Sequence, residues 1–186
     1  MDSVMDQVEH AAPNAFLNDV RAVSARMQGA FHEEQAVGAD PALILLQSAL
    51  TAEILCIWRY TMMSVSLAGL KQPRIGVEFQ EQANDERRHM LAIAQRIREL
   101  GGTPDFSPHG LETRFGEFGT RADLAGLVEQ NLAAEREVIG LYRRMIDHFE
   151  PHDPVTALML TNILEEESEH ATDMQDLLSI EIGGHG

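Results

Sequence analysis

The sequence has few of the residues that cross-link or stack. Cys56 is the only cysteine among 186 residues, which excludes an intrachain disulfide and a thiolate metal cluster within one chain. We expect Cys56 to be a small buried hydrophobic residue. Aromatic residues make up only 5% of the chain while hydrophobic residues reach 44%, a balance that predicts a single helical domain rather than a β-sandwich.

Basic residues are also scarce. The chain has 14 Lys and Arg against 30 Asp and Glu, so its formal net charge is −16. This charge opposes binding to nucleic acid and to anionic membranes, and it favours cations as partners. The chain has no run of about 18 apolar residues, and its first residues lack the basic start of a signal peptide. We therefore expect a cytoplasmic protein that binds neither nucleic acid nor a membrane.

Proline, glycine and capping residues divide the chain into predicted helices. Residues 1–40 form an accessory segment with one amphipathic helix over about 13–37, residues 41–182 form the main bundle, and residues 183–186 form a tail. Four bundle helices are predicted, from 41 to about 69, from 73 to about 100, from about 121 to 149, and from 154 to about 182.

A long connection separates the second and third bundle helices. Residues 101–120 hold five glycines and two prolines, whereas the other two turns are short. Short turns join antiparallel neighbours, and a connection of about 20 irregular residues is long enough to cross the length of a bundle. The pattern predicts an all-α, up-down-down-up four-helix bundle with the long crossover between its second and third helices.

Two Glu-x-x-His pairs stand inside the second and fourth bundle helices. They are Glu86 with His89 and Glu167 with His170. Three residues span about 300° of helical rotation, so the two side chains of each pair project from one face. This spacing alone is weak evidence, because Glu and His are both common in the chain.

An internal repeat makes these pairs significant. Glu53 and Tyr60 in the first bundle helix recur 82 residues later as Glu135 and Tyr142 in the third, with an isoleucine four residues after each Glu. The Glu-x-x-His pairs recur at an offset of 81 residues. The chain therefore contains two copies of one helical hairpin, each with a Glu on its first helix and Glu-x-x-His on its second. The repeat also selects Glu167 among the neighbouring glutamates 165, 166 and 169.

The glutamates of the repeat predict a metal centre. Glu53 and Glu135 lie close to apolar faces, and a buried carboxylate costs several kcal/mol unless it is paired or metal-bound. Two divalent cations would neutralise four converging carboxylates. One Glu from each of two helices and Glu-x-x-His from each of the other two is the ligand set of di-metal carboxylate bundles. Oxygen and imidazole donors suit iron first and manganese second.

The repeated tyrosines have two interpretations. Tyr60 and Tyr142 are either core residues whose hydroxyls have found a partner, or residues that hydrogen-bond to the ligand carboxylates and orient them.

Residues 42–180 resemble the ferritin-like superfamily, and within it the bacterioferritin and Dps-like proteins. The resemblance rests on the segments 53–60 (EILCIWRY), 85–89 (DERRH), 96–104 (RIRELGGTP) and 163–170 (ILEEESEH). It implies a ferroxidase that oxidises Fe(II) with dioxygen or peroxide, for iron storage and protection against oxidative stress. It also implies that six residues ligate two irons, with Glu86 and Glu167 bridging them. These six are Glu53, Glu86, His89, Glu135, Glu167 and His170.

Comparison with the family adds expectations about partners. Arg87 stands where haem-binding bacterioferritins carry an axial methionine, so no haem is expected. We expect a homo-oligomer, which is a dimer, a dodecamer or a larger cage. Apolar residues off the Glu53 and Glu86 faces predict a symmetric dimer across the first two bundle helices. They are Trp58, Met62, Met63, Val65, Leu67 and Phe79.

Two other functions remain open from the sequence. One is a rubrerythrin-like peroxidase or another di-iron oxidase, although the chain has no Cys-x-x-Cys module to deliver electrons. The other is a non-catalytic metal-binding subunit whose site never turns over.

Overall fold

The chain folds into a bundle of helices. The computed structural model describes residues 15–32, 40–69, 73–107 and 124–179, and every regular element in those ranges is helical. The prediction of an all-α fold is confirmed. The flanks of the predicted accessory helix, the predicted start of the third bundle helix at residue 121 and the tail at 183–186 lie outside the described residues. The helices are α1 (Ala15–His32), α2 (Pro41–Gly69), α3 (Pro73–Glu99), α4 (Leu124–Phe149) and α5 (Pro154–Leu177).

Capping carboxylates set the starts of α2 and α5. Asp40 accepts a hydrogen bond from the backbone N–H of Ala42 at 2.9 Å, and Asp153 accepts one from the backbone N–H of Thr156 at 3.1 Å. A proline follows each cap at the first helical position, where the missing N–H would have had no helical partner. Both helices therefore begin where the sequence predicts.

A glycine turn ends α3. Gly101 has a φ of +83°, which a residue with a side chain rarely adopts. The N–H groups of Gly101 and Gly102 donate to the carbonyls of Arg98 at 3.0 Å and Ile97 at 2.9 Å, so two of the last helical carbonyls are satisfied. The chain then enters the long connection to α4, of which residues 108–123 lie outside the described residues.

Side-chain contacts define the direction of the bundle helices. Tyr60 of α2 bonds to Glu135 of α4, while Tyr142 of α4 bonds to Glu53 of α2, so these two helices are antiparallel. Near the end of α3, Arg96 contacts the Asp153 cap of α5 at 2.8 Å. The ends of α3 and α4 therefore lie at the same end of the bundle, and the order is up-down-down-up, as predicted.

The N-terminal helix α1 packs along α2 and α4. The ring of Phe16 meets the ring of Tyr60 edge-on at 6.4 Å, and Phe31 meets His148 of α4 at 5.6 Å. The inward face of α1 is buried. This helix thus closes the seam between α2 and α4 and forms part of the core. Its buried apolar residues are Phe16, Leu17, Val20, Val23 and Met27.

Helix α2 is the most apolar of the five. By length and composition alone, residues 41–67 would suffice to cross a membrane, and half of this stretch is buried inside the monomer. A core helix of a soluble bundle passes the same test, and α2 carries Glu53 and Arg59 fully buried among protein neighbours. We therefore interpret α2 as a core helix with one further apolar face.

The predicted dimer surface is partly wrong. Met63, Leu67 and Phe79 are buried in the monomer. Phe79 packs on Tyr60 with their ring centroids 5.6 Å apart, and Met63 accepts a hydrogen bond from Asn131 of α4. The buried arc of α2 extends beyond its Glu53 face because α1, α3 and α4 all pack against it. The predicted surface residues that keep exposed area are Trp58, Met62 and Val65.

Candidate metal centre

All six predicted ligands lie inside the bundle. Each comes from the buried face of its helix, and none is more than 3% exposed. Helix α2 supplies one Glu, α4 supplies one Glu, and α3 and α5 each supply a Glu and a His three residues apart. The six are Glu53, Glu86, His89, Glu135, Glu167 and His170.

These six residues form two overlapping quartets. In the first, Glu53 and His89 join Glu86 and Glu167, and in the second, Glu135 and His170 join the same two glutamates. Within each quartet, one oxygen or nitrogen atom per residue lies within 4.8 Å of all the others. We call Glu86 and Glu167 the shared carboxylates. Two ions placed in the quartets would each have four protein ligands and would have both shared carboxylates in common.

Buried atoms that form no hydrogen bond support cations at this position. Among the described residues, several buried atoms of the quartets form no hydrogen bond, and all of them but Glu135 Oε2 lie 3.2–3.6 Å from an oppositely charged atom of the same cluster. A buried polar atom without a hydrogen bond costs free energy. An oxygen and imidazole donor set of this kind fits a divalent cation such as iron or manganese. The atoms without a hydrogen bond are Glu53 Oε2, Glu86 Oε1, Glu135 Oε2, both carboxylate oxygens of Glu167, and His170 Nδ1.

The ferritin-like domain family matches residues 44–181 of this chain. The chain belongs to the ferritin-like family. It is similar to proteins of known name within that family, although at modest identity. It is 27% identical over 161 residues to the DNA protection during starvation protein of Pyrococcus furiosus, covering 82% of this chain and 85% of that protein. It is 29% identical over 143 residues to the bacterioferritin of Mycobacterium leprae, covering 76% of this chain and 86% of that protein.

A solved ferritin-like structure has the same fold. It is a dodecameric thioferritin, the bacterioferritin-related protein from Bacteroides fragilis, with a TM-score of 0.65 and 28% sequence identity. The match covers 86% of this chain and 93% of that one. The prediction of a ferritin-like fold is confirmed.

The two tyrosines of this ferritin-like bundle bond crosswise to Glu53 and Glu135, the glutamates that each belong to one quartet only. Tyr60 of α2 donates to Glu135 of α4, and Tyr142 of α4 donates to Glu53 of α2. Each hydroxyl occupies one carboxylate oxygen and leaves the other oxygen for the centre. Of the two interpretations that the sequence allowed, these hydrogen bonds favour the one in which the tyrosines orient carboxylates of the quartets.

Carboxylates also bond to the outer nitrogens of the two histidines. His89 Nε2 lies 3.0 Å from Glu166 Oε2, and His170 Nε2 lies 3.4 Å from Asp85 Oδ2. An Nε2–H that donates to a carboxylate leaves Nδ1 free to bind a cation and increases its basicity. Sequence reasoning missed Glu166 because the repeat was used only to select Glu167. The same repeat identifies it, since Asp85 and Glu166 each directly precede a shared carboxylate.

Burial acts on the pKa of Glu53, Glu135 and Glu86. Burial and the nearby shared carboxylates raise the pKa of Glu53 and of Glu135 well above the usual range. Burial acts in the same direction on Glu86, but contacts with His170 and His89 outweigh it and lower the pKa of Glu86. Without cations, the carboxyl groups of Glu53 and Glu135 therefore release their protons less readily than exposed carboxyl groups do.

The histidines also hold protons when no cation is bound. Burial alone would lower the pKa of His170, but the facing carboxylates of Glu167 and Glu86 outweigh burial and raise it to about 12. The pKa of His89 is raised in the same way, mainly by Glu167 and Glu53. Imidazolium ions thus replace part of the positive charge that bound cations would supply.

We expect the affinity for divalent cations to fall as the pH falls. The raised pKa values favour the protonated forms of these groups, and a cation must displace those protons before it binds. Calorimetric titration with Co(II) in two buffers of different ionisation enthalpy measures the number of protons released. We expect at least about one proton per bound ion near pH 7. Binding without proton release, at an affinity that does not depend on pH, would contradict the perturbed centre.

The seam between α3 and α5 carries a surface groove next to His89 of the first quartet. A groove of about 390 Å³ lies along this seam, with Arg88, His89, Ile163 and Glu166 among its lining residues. The opposite seam, between α2 and α4, is covered by α1. A larger cavity of about 550 Å³ lies away from the centre, next to the described start of the long connection.

Proposed function

We propose that this protein is a ferroxidase that binds Fe(II) in pairs and oxidises it with dioxygen or hydrogen peroxide. The observation that carries the proposal is the pair of buried quartets joined by Glu86 and Glu167. Membership of the ferritin-like family, with similarity to proteins named bacterioferritin and DNA protection during starvation protein, supports a role in iron storage or protection.

The donor set favours iron over softer metals. Four carboxylates and two imidazoles carry a formal charge of −4, which two divalent cations would balance. Cys56 is buried nearby, but burial and then the surrounding glutamates raise the pKa of its thiol. A thiol that stays protonated is a poor metal ligand, so the centre depends on oxygen and nitrogen donors.

Each residue has a distinct role in this proposal. Glu86 and Glu167 hold both ions, while Glu53 with His89 and Glu135 with His170 complete one ion site each. Two Fe(II) ions give up one electron each, and with two protons these electrons reduce one hydrogen peroxide to two water molecules. The buried position of the six residues separates the ions from bulky reductants, and the groove at His89 is the route we propose for the oxidant.

Anaerobic loading followed by oxidant tests the proposal. Two Fe(II) per chain are added without oxygen, and then dioxygen or peroxide is mixed in while iron absorbance and oxidant consumption are followed. A ferroxidase consumes the oxidant and yields Fe(III) without any other reductant. A rubrerythrin-like peroxidase requires an electron donor for sustained turnover, and a non-catalytic subunit binds the ions and consumes no oxidant.

We also propose a homo-oligomer containing a symmetric dimer across α2 and α3. The apolar face of α2 continues into an open groove of about 400 Å³. An exposed apolar groove on such a helix is typical of a surface that another copy covers. The dodecameric state named for the related protein of Bacteroides fragilis supports assembly. The groove is lined by Ile54, Ile57, Trp58, Thr61, Met62, Arg87 and Met90.

Light scattering should find a mass that is a multiple of 20.6 kDa at micromolar concentration. Trp58→Glu places a charge in the lining of the groove and should shift the protein towards smaller species. Leu158→Glu is the matched control, because Leu158 is an exposed apolar residue on α5 away from this groove. A parental protein that is a stable monomer would rule out the dimer.

Arg87 bears on whether the protein binds haem. Arg87 lines the groove on α2 and α3 and donates to Asn84 at 3.1 Å. The position that would carry a haem-binding methionine is therefore occupied by a positively charged side chain. We propose that the protein binds no haem and no nucleic acid, and that it is cytoplasmic. A Soret band after incubation with haem, or a DNA mobility shift at physiological salt, would contradict the corresponding expectation.

A further inference from the structure

One arginine lies between the carboxylates that bond to the two histidines. Arg88 Nη1 donates to Glu166 Oε2 at 3.0 Å, and its Nη2 donates to Asp85 Oδ1 at 2.5 Å. Asp85 is on α3 and Glu166 is on α5. The guanidinium therefore bridges the seam between α3 and α5, next to the groove that Arg88 lines together with His89 and Glu166.

These contacts connect one histidine to the other. His89 Nε2 bonds to Glu166 Oε2, both carboxylates bond to Arg88, and Asp85 Oδ2 lies 3.4 Å from His170 Nε2. We call these five residues the outer network. Since His89 belongs to one quartet and His170 to the other, the outer network links the two ion sites through a path separate from the shared carboxylates.

The internal repeat supplies only one such arginine. The position 81 residues after Arg88 is Glu169, which is exposed. Asp85 and Glu166 are thus repeated, whereas the residue that joins them is not. A guanidinium suits this place because its planar fork of donors can bond to two carboxylates at once, which the single ammonium of a lysine does less well.

We propose that Arg88 is a positioning residue that couples the two ion sites, holding Glu166 against His89 and Asp85 against His170 at the same time. This inference rests on the proposed two-ion centre. Removing a group that orients a histidine ligand lowers metal affinity by about 10- to 100-fold. Each carboxylate serves one histidine, so loss of a carboxylate should weaken one ion and loss of Arg88 should weaken both.

The direction of the effect separates positioning from charge. Removing a positive charge near the centre would by itself strengthen the binding of cations. A weakening in Arg88→Gln therefore cannot come from the charge. The side chain of Arg88 is 58% exposed and its ion pairs contribute little to folding, so the metal-free variant should unfold at the parental temperature.

Titration with Co(II) tests the proposal. We expect two tightly bound ions in the parent, two ions weakened about 10-fold or more in Arg88→Gln, and one weakened ion in each of Glu166→Ala and Asp85→Ala. Arg88→Lys keeps the charge without the fork and should recover only part of the affinity. Arg87→Gln is the matched control, because it removes the same charge from the adjacent position and should not weaken either ion.

Several results would overturn the proposal. They are parental or tighter binding in Arg88→Gln, full recovery in Arg88→Lys, a lower unfolding temperature of metal-free Arg88→Gln that accounts for the loss, or a parent that binds fewer than two ions. A parent that binds two Co(II) ions but does not oxidise Fe(II) would contradict the ferroxidase function only. The coupling would still be decided by the titrations.

Discussion

Glu167→Ala should abolish paired metal binding and rapid iron oxidation. Glu167 belongs to both quartets, so its loss removes a ligand from each ion at once. Bound cations stabilise the folded chain according to their affinity, by about 2.7 kcal/mol for each ion at a concentration of 100 times its Kd. The variant should therefore lose most of the thermal stabilisation that added metal gives the parent, as measured by unfolding with and without Co(II).

The control for this variant must lie off the centre. Glu169→Ala is suitable because Glu169 is exposed on the same helix, and it should keep both ions and the oxidation rate. Glu166→Ala is not a neutral control, although the repeat alone suggests that it is, because Glu166 bonds to His89. If Glu167→Ala oxidised iron at the parental rate, the assignment of the shared carboxylates would be wrong.

Phe16→Ala should destabilise the metal-free protein by about 3–5 kcal/mol, the range for truncating a buried Phe. Phe16 is 1% exposed, meets Tyr60 edge-on and lies under the guanidinium of Arg59 at 5.1 Å. Its loss leaves a cavity between α1 and the bundle. Urea unfolding of the metal-free protein measures the change in the free energy of unfolding.

An exposed contact of the same helix provides the comparison. Arg21 of α1 pairs with Glu137 of α4 at 3.5 Å, and both side chains are exposed to solvent. Such a pair contributes about 0–1 kcal/mol, so Arg21→Ala should change stability little. Equal losses in Phe16→Ala and Arg21→Ala would show that α1 is held by surface charge and not by its buried face.

The sequence predicted the helices well because their signals are local. Asp40 and Asp153 cap the helices that begin after them, and Gly101 ends α3 with a backbone conformation that favours glycine. Each of these signals acts within a few residues of itself. The boundaries of the helices could therefore be predicted without knowledge of the tertiary packing.

The sequence also identified the six residues of the quartets. A repeat places equivalent residues at equivalent positions of two similar hairpins, so a pseudo-symmetric centre is visible in the register alone. The roles of the tyrosines could not be decided in the same way. Whether Tyr60 faces Glu135 depends on how α2 is rotated relative to α4, and the helical period does not contain that information.

Predictions about surfaces were less successful for the same reason. Met63, Leu67 and Phe79 looked like interface residues because they lie off the ligand faces, and they are core residues because further helices cover them. A helical period gives the angle of a residue about its own axis. It does not say how many neighbours surround that axis.

The sequence by itself thus determined the helical class, the order of the helices and the residues that converge, because caps, periodicity and an internal repeat are properties of the chain. Only the tertiary structure decided which residues share a quartet, that α1 closes the seam between α2 and α4, and that Arg88 joins Asp85 to Glu166. These features depend on the packing of side chains from different helices, which fixes the distances and rotations between helices that are far apart in sequence.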